Sequence, residues 1–100
     1  MIYHVTTATN WEAALDQGWY AAESLALEGF IHMSKEEQVE GVLNRYYQGI
    51  PDLVLLHIEE SLLTSQLIFE LSPSVNEEFP HLFGKLNIDA VVEVKPIMQP

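Results

Sequence analysis

The chain has 100 residues, 48% of them hydrophobic and 19% charged, which suits one domain with one modest core and excludes a disordered chain. Fifteen acidic residues against four Lys and Arg give a formal net charge of -11, so binding to nucleic acid is disfavoured. The chain has no cysteine, no signal-peptide pattern and no apolar run of membrane-spanning length. We therefore expect a cytoplasmic protein without a membrane partner.

The first third of the chain predicts a strand followed by helical segments. The β-branched and aromatic stretch Ile2–Thr6 predicts the first strand. A capping box of Thr9 and Glu12 predicts a helix over about Asn10–Gln17, which Gly18 then ends. A further single helical turn is expected before Gly29.

A short strand over Phe30–Met33 is predicted to lead into the second main helix. Ser34 and Glu37 form another capping box, and Gly49 with Pro51 stops the helix. Its apolar positions recur at helical spacing: Val39, Val42, Leu43, Tyr46 and Tyr47.

The remaining segments are mostly strands. Leu53–Ile58 is apolar on both faces and predicts a central strand, and Leu67–Leu71 predicts another. Phe79–Gly84 is interpreted as a structured loop, and Ala90–Ile97 as a last strand with Pro96 at an edge or end. We predict one α+β domain over residues 1–100, with a mixed or mainly antiparallel sheet and two main helices. A doubly wound fold is the alternative, weakened because no glycine-rich phosphate loop is present.

The four histidines each lie in an apolar run. A buried imidazole must satisfy its ring nitrogens, so one interpretation is that several of the rings face a shared cleft. The other is that each ring simply bonds a nearby backbone carbonyl. His4 shares a strand face with Thr6, a pair that suits a ribose, and Tyr20 is a candidate for stacking on a ligand.

Four more residues are candidates for the same cleft. Ser34 is expected mainly to cap a helix whose first turn could also receive a phosphate or carboxylate, two residues after His32. Glu70 is unusual inside an apolar strand and could act as a general base. His81 is flanked by Pro80 and Gly84, which suits a ring held in a defined loop. No histidine spacing indicates zinc, so we expect no metal.

Three motifs in this order resemble a known family: IYHVT at residues 2–6, GFIHMS at 29–34 and FPHLFG at 79–84. Over nearly the whole chain they are similar to the small bacterial proteins grouped as domain of unknown function 952. That family is in turn similar to the ADP-ribosyltransferase fold, whose members bind NAD. The resemblance implies an ADP-ribosyltransferase-like fold with a cleft for NAD or a related nucleotide.

The resemblance also implies roles for single residues. His4 matches the first-strand histidine that binds the adenosine ribose, and Thr6 matches the threonine that follows it. Glu70 matches the glutamate that binds the nicotinamide ribose and stabilises positive charge as nicotinamide leaves. His32 is similar to a histidine near the phosphate in the RNA 2'-phosphotransferases, although Arg45 is the only arginine here, which disfavours RNA phosphate transfer.

The sequence leaves three hypotheses open. The first is an NAD or nucleotide site lined by His4, Thr6, His32, Glu70 and His81, with or without transferase activity. The second is a non-enzymatic ligand- or protein-binding domain, whose acidic surface suits a basic partner. The third is an enzyme with a metal held by three histidines and Glu70. The oligomeric state does not follow from the sequence.

Overall fold

A computed structural model describes residues 1–98, and its first sheet is antiparallel with three strands. These strands are β1 (Ile2–Thr7), β4 (Leu53–Ile58) and β8 (Val91–Pro96). β4 lies between the other two, which confirms the prediction of a central strand. Pro96 ends the edge strand β8, a position that tolerates a residue without an N–H.

The second sheet is also antiparallel and consists of β3 (Ile31–His32), β6 (Glu77–Phe83) and β5 (Gln66–Ser72), in that order. The prediction of a loop over residues 79–84 is therefore wrong, because most of that segment is the middle strand. Pro80 is tolerated there because its backbone hydrogen-bonding side faces the short strand β3 and not β5. Its carbonyl accepts a hydrogen bond from the Met33 N–H at 3.0 Å, one residue beyond the end of β3, so its missing N–H removes no bond from the β5–β6 ladder.

Two short backbone pairings connect these sheets to the rest of the molecule. The Tyr3 and Ser34 backbones exchange N–H···O bonds of 2.8 and 2.7 Å, which places β1 beside the end of β3. A ribbon joins β2 (Trp19–Tyr20) to β7 (Leu86–Asn87). Sequence periodicity could not predict β2 or β7, since a two-residue strand carries no repeat.

The helices follow the predicted order. Thr7 caps the first one by accepting from the Asn10 N–H at 3.1 Å, so the predicted cap at Thr9 is wrong by two residues. Gly18 and Gly29 end the first two helices with φ of 93° and 90°, a conformation that favours glycine. The α-helices are α1 (Ala8–Gln17), α2 (Glu23–Glu28) and α3 (Val39–Tyr46), and 3-10 turns cover Glu36–Gln38, Glu60–Leu62 and Ile88–Ala90.

The predicted capping role of Ser34 is wrong. Its backbone is held by Tyr3, so the helical segment starts one residue later, after Lys35. The Gln38 side chain accepts from the Lys35 N–H at 3.0 Å in place of the predicted Glu37 contact. Ser34 is buried, and the turn that follows it is a 3-10 turn before α3 begins.

The core combines side chains from both three-stranded sheets, from α1 and from the β2–β7 ribbon. Every strand pairing within residues 1–98 is antiparallel, so the doubly wound alternative is wrong and the fold is a small α+β domain. None of the helices found in this range is long and apolar enough to span a membrane. The buried core residues are Ile2, Trp11, Ala14, Tyr20, Ile31, Met33, Leu56, Ile58, Leu82, Leu86 and Ala90.

Candidate functional site

Three polar side chains form a buried chain of hydrogen bonds beside the core. His4 Nδ1 lies 2.6 Å from the His32 carbonyl oxygen, and His4 Nε2 lies 2.8 Å from the Tyr20 hydroxyl. That hydroxyl lies 3.1 Å from Thr6 Oγ1. We call His4, Thr6 and Tyr20 the inner polar chain; they are only 6%, 4% and 3% exposed.

The proton on His4 follows from chemistry. A carbonyl can only accept, so His4 Nδ1 donates to His32. Burial outweighs that hydrogen bond and lowers the pKa of His4 to about 4, so the ring is neutral near pH 7 and Nε2 is an acceptor that faces the Tyr20 hydroxyl. The Tyr20 hydroxyl lies between His4 Nε2 and Thr6 Oγ1 and links the two side chains. Burial also raises the pKa of Tyr20 to about 12, which keeps its hydroxyl protonated.

The inner polar chain forms one wall of a cavity of about 530 Å³, here called the polar cavity. Much of the remaining lining is hydrophilic and comes from α1 and the start of α2. It includes Asn10, Gln17, Glu23 and Ser24. A ligand in this cavity would therefore meet amide, hydroxyl and carboxylate groups.

A second cavity of about 440 Å³, the aromatic cavity, adjoins the first. His4, Val5, His32 and Tyr47 line both cavities, so they form the wall between them. Most of the other lining is apolar, with Ser34 and His81 among the polar exceptions. Its aromatic members besides the histidines are Phe30, Tyr46, Tyr47 and Phe79.

His81 is held in place at the aromatic cavity by a carboxylate and a phenyl ring. Its Nδ1 donates to Glu70 Oε1 at 2.7 Å, and the Phe30 ring stacks on the imidazole with centroids 4.0 Å apart. A neutral ring that donates at Nδ1 has Nε2 left as an acceptor. Glu70 itself lines neither cavity, so its carboxylate acts on the cavity only through His81.

His32 repeats this arrangement nearer the surface. Its Nε2 donates to Glu28 Oε2 at 2.9 Å, and its side chain is 54% exposed. The His32 and His81 ring centroids are 5.4 Å apart, and both rings contact Phe30. We call His32 and His81, with their carboxylate partners, the outer histidine pair.

The structure brings six of the seven predicted site residues to the two cavities. His4, Thr6, Tyr20 and His32 line the polar cavity, and Ser34 and His81 line the aromatic one together with His4 and His32. Glu70 is the exception and reaches the site through His81. His4, His32 and His81 therefore share a cleft, as one interpretation of the sequence expected.

His57 does not join this cleft. It lies in β4 opposite Tyr3, whose ring it meets edge-on at 5.0 Å, and it lines neither cavity. Within residues 1–98, no group of three or more His, Asp or Glu side chains could hold a metal ion. The hypothesis of a metal held by three histidines and Glu70 is therefore unsupported.

Sequence reasoning missed three contributors to the site. Phe30 lies in the GFIHMS motif, which by itself gives the ring no role, and the helical spacing of Tyr47 predicts a core residue. Glu28 precedes His32 by four residues, a spacing that indicates contact within a helix. Here α2 ends at Glu28 and His32 lies in β3, so helical spacing does not predict this contact.

Comparison with known proteins places the chain in a family. A model of the family described as "Protein of unknown function (DUF952)" matches residues 5–94. The chain belongs to this family. No curated protein matches it.

Solved structures similar to this DUF952 chain come from a structural-genomics target, the protein CC0527 from Caulobacter crescentus. Its crystal structure is 30% identical with a TM-score of 0.90, and the match covers 99% of this chain and 87% of that one. Its solution NMR structure is also 30% identical, with a TM-score of 0.84 over 99% and 85% of the two chains. The similarity supports the fold, while the family description assigns no activity.

Proposed function

We propose that this DUF952 protein binds NAD or a related nucleotide in the cleft formed by the polar and aromatic cavities. The observation that carries the proposal is the wall the cavities share, where His4 and His32 meet from separate strands. The likeness of the motifs to the ADP-ribosyltransferase fold belongs to the same proposal and gives the ligand class.

The sizes and linings of the cavities support a ligand with two chemically different parts. Small-molecule pockets commonly enclose about 300 to 1,000 Å³ and combine apolar walls with a few polar groups. The aromatic cavity offers Phe30, Tyr46 and Phe79 to a planar base or nicotinamide ring. The polar cavity offers Asn10 and Ser24 to the hydroxyls of a ribose.

In this proposal the site residues have distinct roles. The inner polar chain is a preorganised wall against which the ligand packs, because its polar groups already hydrogen-bond one another. His32, which lines both cavities, and His81 are the groups that contact the reacting part of a bound nucleotide. Glu70 positions His81 rather than touching the ligand, which differs from the direct ribose contact that the family resemblance implies.

A non-enzymatic binding domain is the second candidate. It is favoured by the internal pairing of the inner polar chain, which leaves its hydrogen-bonding groups occupied, and by the net charge of -11, which suits a basic protein partner. The two candidates differ in whether the cleft takes a nucleotide.

Thermal unfolding with NAD and with ADP-ribose tests the proposal. A ligand at about 100 times its dissociation constant stabilises by about 2.7 kcal/mol, which raises the Tm of a domain of this size by roughly 10 to 20 °C. We expect His32→Ala to reduce this shift and His57→Ala, outside both cavities, to leave it. No shift with either compound would contradict the proposal and leave the second candidate.

Turnover is a separate measurement. Free nicotinamide released from NAD and detected by chromatography would show that the protein cleaves its ligand.

A further inference from the structure

Positive charge is scarce on this chain, and none of it among residues 1–98 lines the two cavities. The Lys95 ammonium is 3.5 Å from a Glu93 carboxylate oxygen, and the Lys85 ammonium lies over the Trp19 ring at 3.8 Å. Within residues 1–98, no Lys or Arg lines either cavity. The cations of the whole sequence are Lys35, Arg45, Lys85 and Lys95.

Negative charge, in contrast, lies at the cleft. Glu23 lines the polar cavity, and Glu28 and Glu70 hold the two imidazoles of the outer histidine pair. A phosphate in the polar cavity would meet the Glu23 carboxylate. In either cavity it would lie in the field of a chain with a net charge of -11, with no lining cation to offset that field.

The hydrogen-bonding groups of the outer histidine pair also suit an uncharged ligand. Glu28 occupies Nε2 of His32 and Glu70 occupies Nδ1 of His81. In the neutral form of each ring, the one remaining nitrogen is an acceptor. Such acceptors match the amino group of a base or the hydroxyls of a ribose, which donate, and they do not match phosphate oxygens.

We infer that the cleft selects an uncharged nucleoside, or a similar heteroaromatic compound with N–H and O–H donors, over its phosphorylated forms. This inference rests on the proposed function and narrows its ligand class. The base and sugar supply the binding free energy, and each phosphate weakens binding.

A phosphate series tests the inference directly. Binding of adenosine, AMP, ADP and ADP-ribose is measured by calorimetry at ionic strengths of about 0.01 M and 1 M, where the Debye length is about 30 Å and 3 Å. We expect the dissociation constant to rise roughly fivefold from adenosine to AMP and again to ADP at low salt, and the differences to shrink at high salt.

The possible results separate the two proposals. If none of the four compounds binds, the proposed nucleotide function fails. If affinity is equal across the series or grows with phosphate number, the inference is overturned while the proposed function stands. If affinity falls with phosphate number, salt closes the gap and AMP and ADP-ribose still bind measurably, both are supported. If adenosine alone binds, the cleft is a nucleoside site and the proposed nucleotide function fails.

Neutral replacements of two glutamates and of one arginine test the electrostatic part of this inference. Glu23→Gln should strengthen binding of AMP severalfold more than it changes binding of adenosine, whereas the matched change Glu12→Gln, on the exposed side of α1, should alter neither. Arg45 lies over the Tyr46 ring at 5.7 Å, at the rim of the aromatic cavity. If Arg45→Gln weakened AMP but not adenosine, a phosphate would be bound there and the inference would be wrong.

Discussion

The inner polar chain and the outer histidine pair are neighbours that use the same residue type in opposite ways. In the inner chain, both His4 nitrogens bond to other parts of the protein, and the ring is almost wholly buried. In the outer pair, His32 and His81 each bond one carboxylate and keep a second nitrogen for other partners. The inner chain thus has the features of a structural element, and the outer pair has those of a binding group.

This difference shows that a buried histidine is not by itself a sign of function. What matters is whether both ring nitrogens are satisfied from within the fold. By that criterion we expect His4, although it lines both cavities, to contribute mainly to stability, and His81 to contribute mainly to ligand binding. The contrast can be tested by perturbing each region separately.

His4→Ala should give the largest effect on stability. It removes a buried ring and leaves both the Tyr20 hydroxyl and the His32 carbonyl without their partner, so we expect the free energy of unfolding to fall by about 3 to 5 kcal/mol. Urea denaturation of this variant and of His32→Ala measures the contrast. His32→Ala, at a half-exposed side chain, should cost under about 1 kcal/mol. Equal losses of unfolding free energy in the two variants would contradict the distinction between the inner polar chain and the outer histidine pair.

Tyr20→Phe should give the next largest effect. The ring and its packing remain, but His4 Nε2 and the Thr6 hydroxyl lose their common partner in a buried site. We expect a loss of about 1 to 3 kcal/mol in the free energy of unfolding. Tyr46→Phe, whose residue is 64% exposed, is the control and should be near neutral. A neutral Tyr20→Phe would mean that the inner polar chain contributes little.

The pH dependence of stability should report on the inner polar chain. The pKa of His4 is lowered from 6.5 to about 4 by burial, so below 6.5 the unfolded chain binds more protons than the folded protein. Stability from His4 is therefore present above pH 6.5 and is lost as the pH falls towards 4. Between pH 7.5 and 5.5 we expect a loss of about 1 kcal/mol from this residue.

Urea denaturation of the wild type and of His4→Gln across that pH range isolates the contribution. The free-energy advantage of the wild type over His4→Gln should shrink as the pH is lowered from 7.5 to 5.5. His32→Gln, in contrast, should retain most of the wild-type dependence of stability on pH. Parallel profiles for the wild type and His4→Gln would show that His4 does not resist protonation in the folded state.

The same distinction explains how far the sequence could predict the fold. Apolar composition and periodicity predict strand β4 and the two longer helices because they are local signals, whereas the predicted N-caps Thr9 and Ser34 are both wrong. The middle strand β6 was read as a loop because Pro80 and Gly84 usually interrupt strands. Pro80 is accepted because its missing N–H faces the end of the short strand β3 and not β5, and this orientation depends on a register that no local pattern encodes.

The sequence could predict which residues belong to the site, but it could not predict the contacts that join them. The sequence singled out His4, His32 and His81 because each is polar in an apolar run. It could not show that the Tyr3–Ser34 backbone pairing brings β1 next to β3, which is what joins His4 to the His32 carbonyl. Nor could it show that Glu70 faces His81 across two strands, since that contact depends on the β5–β6 register.

Glu70→Ala should have the smallest effect on stability and a clear effect on the outer histidine pair. The Glu70 side chain is 44% exposed, so losing its bond to His81 should cost under about 1 kcal/mol. The carboxylate is, however, the group that fixes the proton on His81 Nδ1. Nitrogen-15 NMR should therefore show His81 as the Nδ1–H tautomer in the wild type and a mixture of tautomers in Glu70→Ala.

Two further variants are controls for this result. Glu70→Gln, whose amide oxygen still accepts, should restore the single tautomer, and Glu78→Ala, an exposed change on β6, should leave the wild-type tautomer unaltered. If His81 kept its tautomer in Glu70→Ala, Glu70 would not be its positioning residue.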